Sequence, residues 1–310
     1  MNQTTAVKVN QLVVQFGDFK AVNQVSFEVP VGQIFGFLGA NGAGKTTTIR
    51  VLCGLLVPTE GHVEVAGISY FDPDGEMRIK SKVGYMSQKF TLYNDLTVEE
   101  NLSFTASLRK LPKQIFETRK KELLDFISFH RDPNTMVKDL PGGMKQQVSL
   151  AASLLHDPEI VFLDEPTAGV TSAAREKFWD LIKSLSRRGK TIFVTSHYMD
   201  EVEQCHRIAL MRSGELIALD SPSDLKRKTF PHPLYELSPN KPIAFSEIQA
   251  IRAEAFFESF EAYGLRYHAS PTDPDAWTRF TSKYGSDFAT KAIEPTLEDV
   301  FIRLVEGKNR

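Results

Sequence analysis

Gly39-Ala40-Asn41-Gly42-Ala43-Gly44-Lys45-Thr46 has the G-x-x-x-x-G-K-[ST] spacing of a phosphate-binding loop. Its glycines let the backbone wrap tightly, so that N–H groups from Asn41 to Thr47 can point at phosphate oxygens. Lys45 supplies a point charge to β- and γ-phosphates, and Thr46 offers a hydroxyl to Mg²⁺. A helix starting here also turns the positive end of its dipole toward the anion. A second group completes the chemistry. Ile160-Val161-Phe162-Leu163 is apolar enough to be a buried strand, and it delivers Asp164 to the strand's carboxyl end, where it can hold Mg²⁺ through water. Glu165 follows, placed to orient or deprotonate an attacking water. His197, after Val194-Thr195-Ser196, ends another buried run and can donate to leaving phosphoryl oxygens. Gln88, after Val83-Gly84-Tyr85-Met86-Ser87, is a neutral amide able to touch the metal or the water. The chemistry expected of such a set is phosphoryl transfer from a nucleoside triphosphate to water.

These residues need a sheet to carry them. Ile34 to Leu38, Ile160 to Leu163 and Thr191 to Thr195 are continuously apolar, as strands covered on both faces by helices require. Val25, Phe27 and Val29 alternate with polar residues, as do Val63 and Val65, which predicts half-buried antiparallel strands. Arg207 to Leu219 predicts a hairpin turning at Ser213-Gly214. From about 97 to 155 the texture is helical, opening with a Thr97/Glu100 capping box. Phe178, Leu181, Ile182 and Leu185 form one apolar face of a helix over Ala173 to Ser186, which makes Trp179 a packing residue.

Beyond Ser221-Pro222-Ser223, prolines at 231, 233, 239 and 242 mark a linker around a short strand at Leu234 to Leu237. Ser246 to Ala262 predicts a helix with a Ser246/Gln249 capping box and Gly264 past its end. A last helix starts at Thr296, with Leu297, Val300, Phe301 and Leu304 on one face. The expected organisation is an ATPase core over residues 1–225, its helical subdomain at about 89–155, and a small α+β extension over 226–310.

The 310 residues carry a net charge of −2, which argues against bulk nucleic acid as a partner. From Lys226 onward 12 basic residues face 12 acidic ones, so the extension has no basic stripe either. Cys53 and Cys205 lie far apart with no CxxC pair, as in a reducing compartment. No apolar run reaches the roughly 18 residues of a membrane span, and the first residues lack a secretory pattern. A soluble intracellular chain is expected, with any membrane link made through a partner.

GANGAGKTT, YMSQ, LPGGMKQQ, IVFLDEP and TSH occur in that order. Together with TLYNDLTVEENL and HDPEIVFLDEPTAG, they resemble the ATPase subunits of ABC systems over residues 5 to about 225. The ending PTLEDVFIRLVEG resembles the extension found in drug- and polymer-export members. The resemblance implies an α/β P-loop fold: a parallel core sheet flanked by helices, an antiparallel β subdomain and a helical subdomain. It implies ATP and Mg²⁺ as ligands, and a cytoplasmic subunit peripheral on the inner face of the membrane. It also implies transmembrane permease subunits and a second ATPase subunit, identical or not, as partners. Gln88 takes the Q-loop position and His197 the switch position. Phe16 takes the adenine-stacking position, although an end-of-strand core aromatic is the other reading of that residue. The signature that covers the partner's γ-phosphate reads Leu140-Pro141-Gly142-Gly143-Met144, with Pro141 in place of serine and Met144 in place of glutamine. Pro141 brings neither a hydroxyl nor an N–H, so a weakened signature is expected, while Gly142 and Gly143 keep a helix N-terminus open to phosphate. Thr171 replaces a usual aspartate and Gln147 a usual arginine. Two other readings stand beside transport: a non-transport ABC ATPase on a macromolecular machine, and a subunit that binds ATP without hydrolysing it.

Overall fold

The computed structural model describes residues 4–88 and 92–306. The chain divides into two compact units, residues 1–220 and 221–310.

In the first unit, long amphipathic strands β1 (Thr5–Phe16) and β2 (Phe19–Pro30) pair antiparallel, and β4 (Glu60–Val65) and the short β5 (Ile68–Ser69) extend that sheet in the order β2-β1-β4-β5. The second sheet contains the apolar runs. Strands β3 (Ile34–Leu38), β6 (Val83–Met86), β7 (Ile160–Asp164), β8 (Thr191–Ser196) and β9 (Arg207–Arg212) are parallel in the order β9-β3-β8-β7-β6. The antiparallel β10 (Glu215–Asp220) closes one edge, and Ser213 and Gly214 form the left-handed turn of this hairpin. Every residue of β3, β7 and β8 is buried, because helices and the first sheet leave those strands no wet face. Phe27 of the first sheet stacks on Phe35 at 5.4 Å, and Phe193 stacks on Phe162 at 4.7 Å, so an aromatic column bonds the two sheets.

Among the described residues, seven α-helices flank these sheets: α1 (Lys45–Leu52), α2 (Gly75–Lys82), α3 (Val98–Leu108), α4 (Lys113–Phe126), α5 (Gly142–Leu154), α6 (Ser172–Arg187) and the single turn α7 (Met199–Val202). The Thr97/Glu100 capping box is formed, with both reciprocal bonds present. In α6, Phe178, Trp179, Ile182 and Leu185 are buried and Leu181 is half-buried. The expected start of the helical subdomain at residue 89 lies outside the described residues. Among the described residues, no helix is long and apolar enough to cross a membrane.

His156, just past α5, donates from Nε2 to the Val83 carbonyl at 2.9 Å, while its Nδ1 is buried without a hydrogen-bond partner. A second proton would have no acceptor, and burial pushes the pKa from 6.5 down to about 4. A base depressed in this way stabilises the fold fully above its unfolded pKa of 6.5, and that contribution fades as the pH falls toward 4. With allowance for partial exposure, the loss is about 2 kcal/mol. Urea melts of His156→Gln, which keeps a donor but cannot titrate, should show that much less acid destabilisation between pH 7 and 4; an unchanged pH slope would contradict it.

The second unit corrects the predicted helix over Ser246 to Ala262. Helix α9 spans Phe245–Ala253, and Phe257–Tyr263 is a strand, β12. Ser246 and Gln249 lie inside α9 and form no cap. Instead Glu247 Oε2 accepts from the Ala244 N–H at 2.8 Å. Ala255 adopts φ 51° and turns the chain out of the helix without a glycine, while Gly264 serves the tight turn after β12. The other elements of its described residues are α8 (Pro222–Thr229), β11 (Leu234–Pro239), β13 (Arg266–Pro271), α10 (Pro274–Tyr284), β14 (Phe288–Ile293) and α11 (Leu297–Glu306). From β11 to β14 the elements run βαββαβ, and the antiparallel sheet has the order β12-β13-β11-β14. That is the ferredoxin-like split βαβ arrangement. Thr296 caps α11, exchanging bonds with Asp299, and Leu297 and Val300 are buried.

Candidate functional site

The phosphate loop leaves the carboxyl end of β3 and enters α1. Gly39, Gly42 and Gly44 all take positive φ. At Gly39 a Cβ would meet the Met211 carbonyl oxygen at 2.3 Å, and at Gly44 the Ala21 carbonyl oxygen at 2.6 Å. Only glycine gives a backbone cradle this tight. Asn41 and Gly42 are exposed on the loop's crest, and Ala43 and Gly44 are buried beneath it. Lys45, 5% exposed, donates from Nζ to the Gly39 carbonyl at 2.7 Å and the Ala40 carbonyl at 3.1 Å, which curls its ammonium into the loop. Burial pulls the Lys45 pKa below the usual lysine range, and the carboxylates of Glu165 and Asp164 oppose that pull. Thr47 is half-buried in the first turn of α1.

Asp164, at the end of β7, faces the loop across the sheet edge. Thr46 Oγ1 donates to its two carboxylate oxygens at 3.2 and 3.0 Å. Tyr85 approaches Oδ2 at 3.4 Å, its pKa pushed up to about 12 by burial first and then by Asp164, so the phenol remains a donor. Glu165 has φ 48°, an unusual conformation for a residue with a side chain. Thr195 of β8 explains how that conformation is held. Its Oγ1 accepts from the Glu165 N–H at 2.8 Å and donates to Asp164 Oδ1 at 2.7 Å. One hydroxyl therefore orients both acids. Gln88 donates from Nε2 to Glu165 Oε2 at 2.8 Å, and His197 Nδ1 lies 3.7 Å from the same oxygen.

The structure thus gathers Lys45, Thr46, Gln88, Asp164, Glu165 and His197 at the carboxyl edge of the parallel sheet. The hydroxyl of Thr46 beside the Asp164 carboxylate is a hard-oxygen donor pair of the kind that suits Mg²⁺. Gln88 touches the acid Glu165 directly, and residues 89–91 lie outside the described residues. Thr195 was not singled out in the sequence. Its signal was a polar residue within a buried strand, two positions ahead of His197.

Phe16 ends β1 opposite Phe19 and is 52% exposed, which rules out its being a core aromatic. Pro141 stands at the N-cap of α5 with φ −56°, so the signature is a helix start, and Gly142 and Gly143 open the helix. No side chain caps it; the Pro141 carbonyl accepts from the Met144 N–H at 2.9 Å. Pro141, Gly142, Gly143 and Met144 line one recess with Gln147 and Thr171. Thr171 caps α6, accepting from the Ala174 N–H at 3.4 Å. A Cβ on Gly143 would come within 2.8 Å of the Ala174 Cβ, so the starts of α5 and α6 approach as closely as glycine permits. Among the described residues, no hydrogen bond or ion pair joins this recess to the phosphate loop of the same chain.

Residues 22–168 match the family model for ABC transporters. Nod factor export ATP-binding protein I of Rhizobium leguminosarum bv. viciae is 35% identical over 291 residues, covering 93% of this chain and 91% of that protein. The probable multidrug ABC transporter ATP-binding protein YbhF of Escherichia coli (strain K12) is 43% identical over 225 residues, 73% of this chain; the match spans only 39% of that relative's length. Among solved structures, the dimeric post-hydrolysis state of the ATP-binding cassette MJ0796 bound to ADP and Pi superposes with a TM-score of 0.63 at 27% identity, over 69% of this chain and 98% of that one. An intact phosphate loop, two acids held by one hydroxyl, and this extent of similarity lead to one assignment: the chain belongs to the ATP-binding subunits of ABC transporters.

Proposed function

We propose that the chain is the ATP-hydrolysing motor subunit of a membrane exporter, working as a dimer on separate transmembrane subunits at the inner face of the membrane. The observation that carries this is the single cluster of Lys45, Thr46, Asp164, Glu165, Gln88 and His197 on one sheet edge. The similarity to multidrug and Nod factor export ATP-binding proteins supports export, and the dimeric cassette with ADP and Pi supports the pairing.

The loop from Gly39 to Thr47 binds the triphosphate through backbone N–H groups and the Lys45 ammonium, and exposed Phe16 stacks on the adenine. Thr46 and Asp164 would hold Mg²⁺, which when bound supplies positive charge at the β- and γ-oxygens. Glu165 takes the proton of the attacking water, with Gln88 orienting its carboxylate. His197 donates to the transferring phosphoryl oxygens, where charge spreads during a loose displacement. The signature at the start of α5 serves the γ-phosphate held by the second ATPase subunit. Recovery of this chain with an integral membrane protein from detergent extracts tests the transport role, and recovery with nucleic acid or ribosomes instead would overturn it.

Pro141 weakens that contact in trans. Every residue of the chain's own site is present, whereas Pro141, Met144, Gln147 and Thr171 depart from the family on the cross-subunit side. The natural second subunit is therefore a different ATPase chain with a stronger signature. Pro141→Ser should restore a hydroxyl and cap α5, raising the ATP-dependent dimer affinity of the lone chain about tenfold. Sedimentation of the Glu165→Gln background with ATP reads that change directly, and no gain would mean that Pro141 is not the limiting position.

A further inference from the structure

Both flanks of the Glu165 and His197 pair converge on one buried carboxylate that none of the roles above uses. Glu201, in α7, is 1% exposed. Its Oε1 accepts from Thr167 Oγ1 at 2.5 Å, and its Oε2 from Ser196 Oγ at 2.6 Å. Thr167 lies two residues after Glu165, and Ser196 immediately precedes His197. Ser196 Oγ also accepts from the Tyr198 N–H at 2.9 Å, which tightens the turn that carries the histidine.

The opposing charge arrives from a third element. Arg175, in the first turn of α6, has its Nε 3.2 Å from Glu201 Oε1, an ion-pair distance without an aligned hydrogen bond. Its guanidinium lies over the Tyr198 ring at 3.9 Å, and that ring packs on the His197 ring at 4.1 Å. The exposed Asp200 is the outer partner of Arg175, at 3.8 Å. A chain of contacts therefore runs from the loop after Glu165, through Glu201 and Arg175, to both the backbone and the ring of His197.

A carboxylate is an expensive way to fill core space, because burying it without partners is strongly unfavourable and apolar packing stabilises a fold as well or better. What two short charge-assisted bonds add is direction. We infer that Glu201 is a positioning residue, which sets the separation of Glu165 and His197 by binding the loop after one to the residue before the other. The inference rests on the catalytic roles proposed for those two residues. Geometry of this kind acts on the reacting arrangement and leaves the phosphate loop untouched, so turnover and nucleotide affinity should separate.

The test compares Glu201→Gln, Glu201→Ala, Ser196→Ala and Glu165→Gln in the full chain, in whichever assembly the wild type turns over ATP. Glu201→Gln keeps the shape but loses the charge facing Arg175, and kcat should fall about tenfold; Glu201→Ala should lower it about a hundredfold. Binding of a fluorescent ATP analogue should stay within about twofold of wild type, and Glu201→Gln should rescue part of the alanine loss. Should Glu201→Ala not fold, Ser196→Ala removes one arm of the bridge alone, and its kcat should fall about fivefold at unchanged affinity. Wild-type turnover in Glu201→Gln and Ser196→Ala beside an inactive Glu165→Gln would overturn the inference and leave the catalytic roles standing. Parallel loss of affinity and turnover would overturn it too, as a purely structural effect. Normal turnover in Glu165→Gln would instead remove the catalytic assignment on which the inference depends.

Discussion

Glu165→Gln should bind MgATP as tightly as the wild type and turn it over about a thousandfold more slowly, within the range a positioned general base contributes. The substitution is nearly isosteric, and the bond that holds residue 165 in its unusual conformation, from its N–H to Thr195, belongs to the backbone. No hydrogen bond of the phosphate loop involves this side chain. What the amide lacks is a lone pair basic enough to take a proton from water. The Gln88 amide that donates to the carboxylate must also rotate or weaken against an amide partner, so orientation of the water is lost together with basicity. Single-turnover hydrolysis and equilibrium ATP binding, measured on the same preparation, read the two halves separately. Hydrolysis near the wild-type rate would remove Glu165 from the role of base.

Lys45→Ala should weaken MgATP binding about a hundredfold, or about 2–3 kcal/mol, the scale of a charge-assisted hydrogen bond. The ammonium already points into the loop, held by the carbonyls of Gly39 and Ala40. A triphosphate would exchange those neutral partners for charged ones, so the residue is pre-oriented for the anion. Alanine leaves the Gly39 carbonyl without its lysine donor, the Ala40 carbonyl with the Ala43 N–H alone, and the phosphates without their cation. The thermal midpoint of the ATP-free chain should move far less than the affinity, since the loop's shape comes from its glycines. Affinity within threefold of wild type in titration calorimetry would show that backbone N–H groups alone bind the triphosphate.

Much of the site could be read from residue order, because each chemical group sits at the end of an apolar run. A strand buried on both faces has a readable composition, and the residue after its last apolar position falls on the sheet's carboxyl edge. Asp164 and Glu165, directly past Leu163, and His197, three positions past Val194, were legible in this way. Thr195 and Glu201 were not, since their importance arises from neighbours 30 or more residues away in the chain: the Glu165 N–H for one, Thr167 for the other. Ser246 to Ala262 fails differently. Phe256, Phe257 and Phe260 satisfy a helical spacing as well as a strand's, and Ala253-Glu254-Ala255 reads as strong helix former. The break is made by Ala255 in a left-handed conformation, which carries no glycine or proline to announce it. Phe256, Phe260 and Phe280 then bury into a core shared with α9, a long-range packing that overrides local propensity.

The antiparallel register of β11 with β14 sets Leu234 opposite Ile293, so the polypeptide enters and leaves the ferredoxin-like sheet at neighbouring points. Such a module can be acquired, exchanged or discarded through a splice at one spot, with no rethreading of the host.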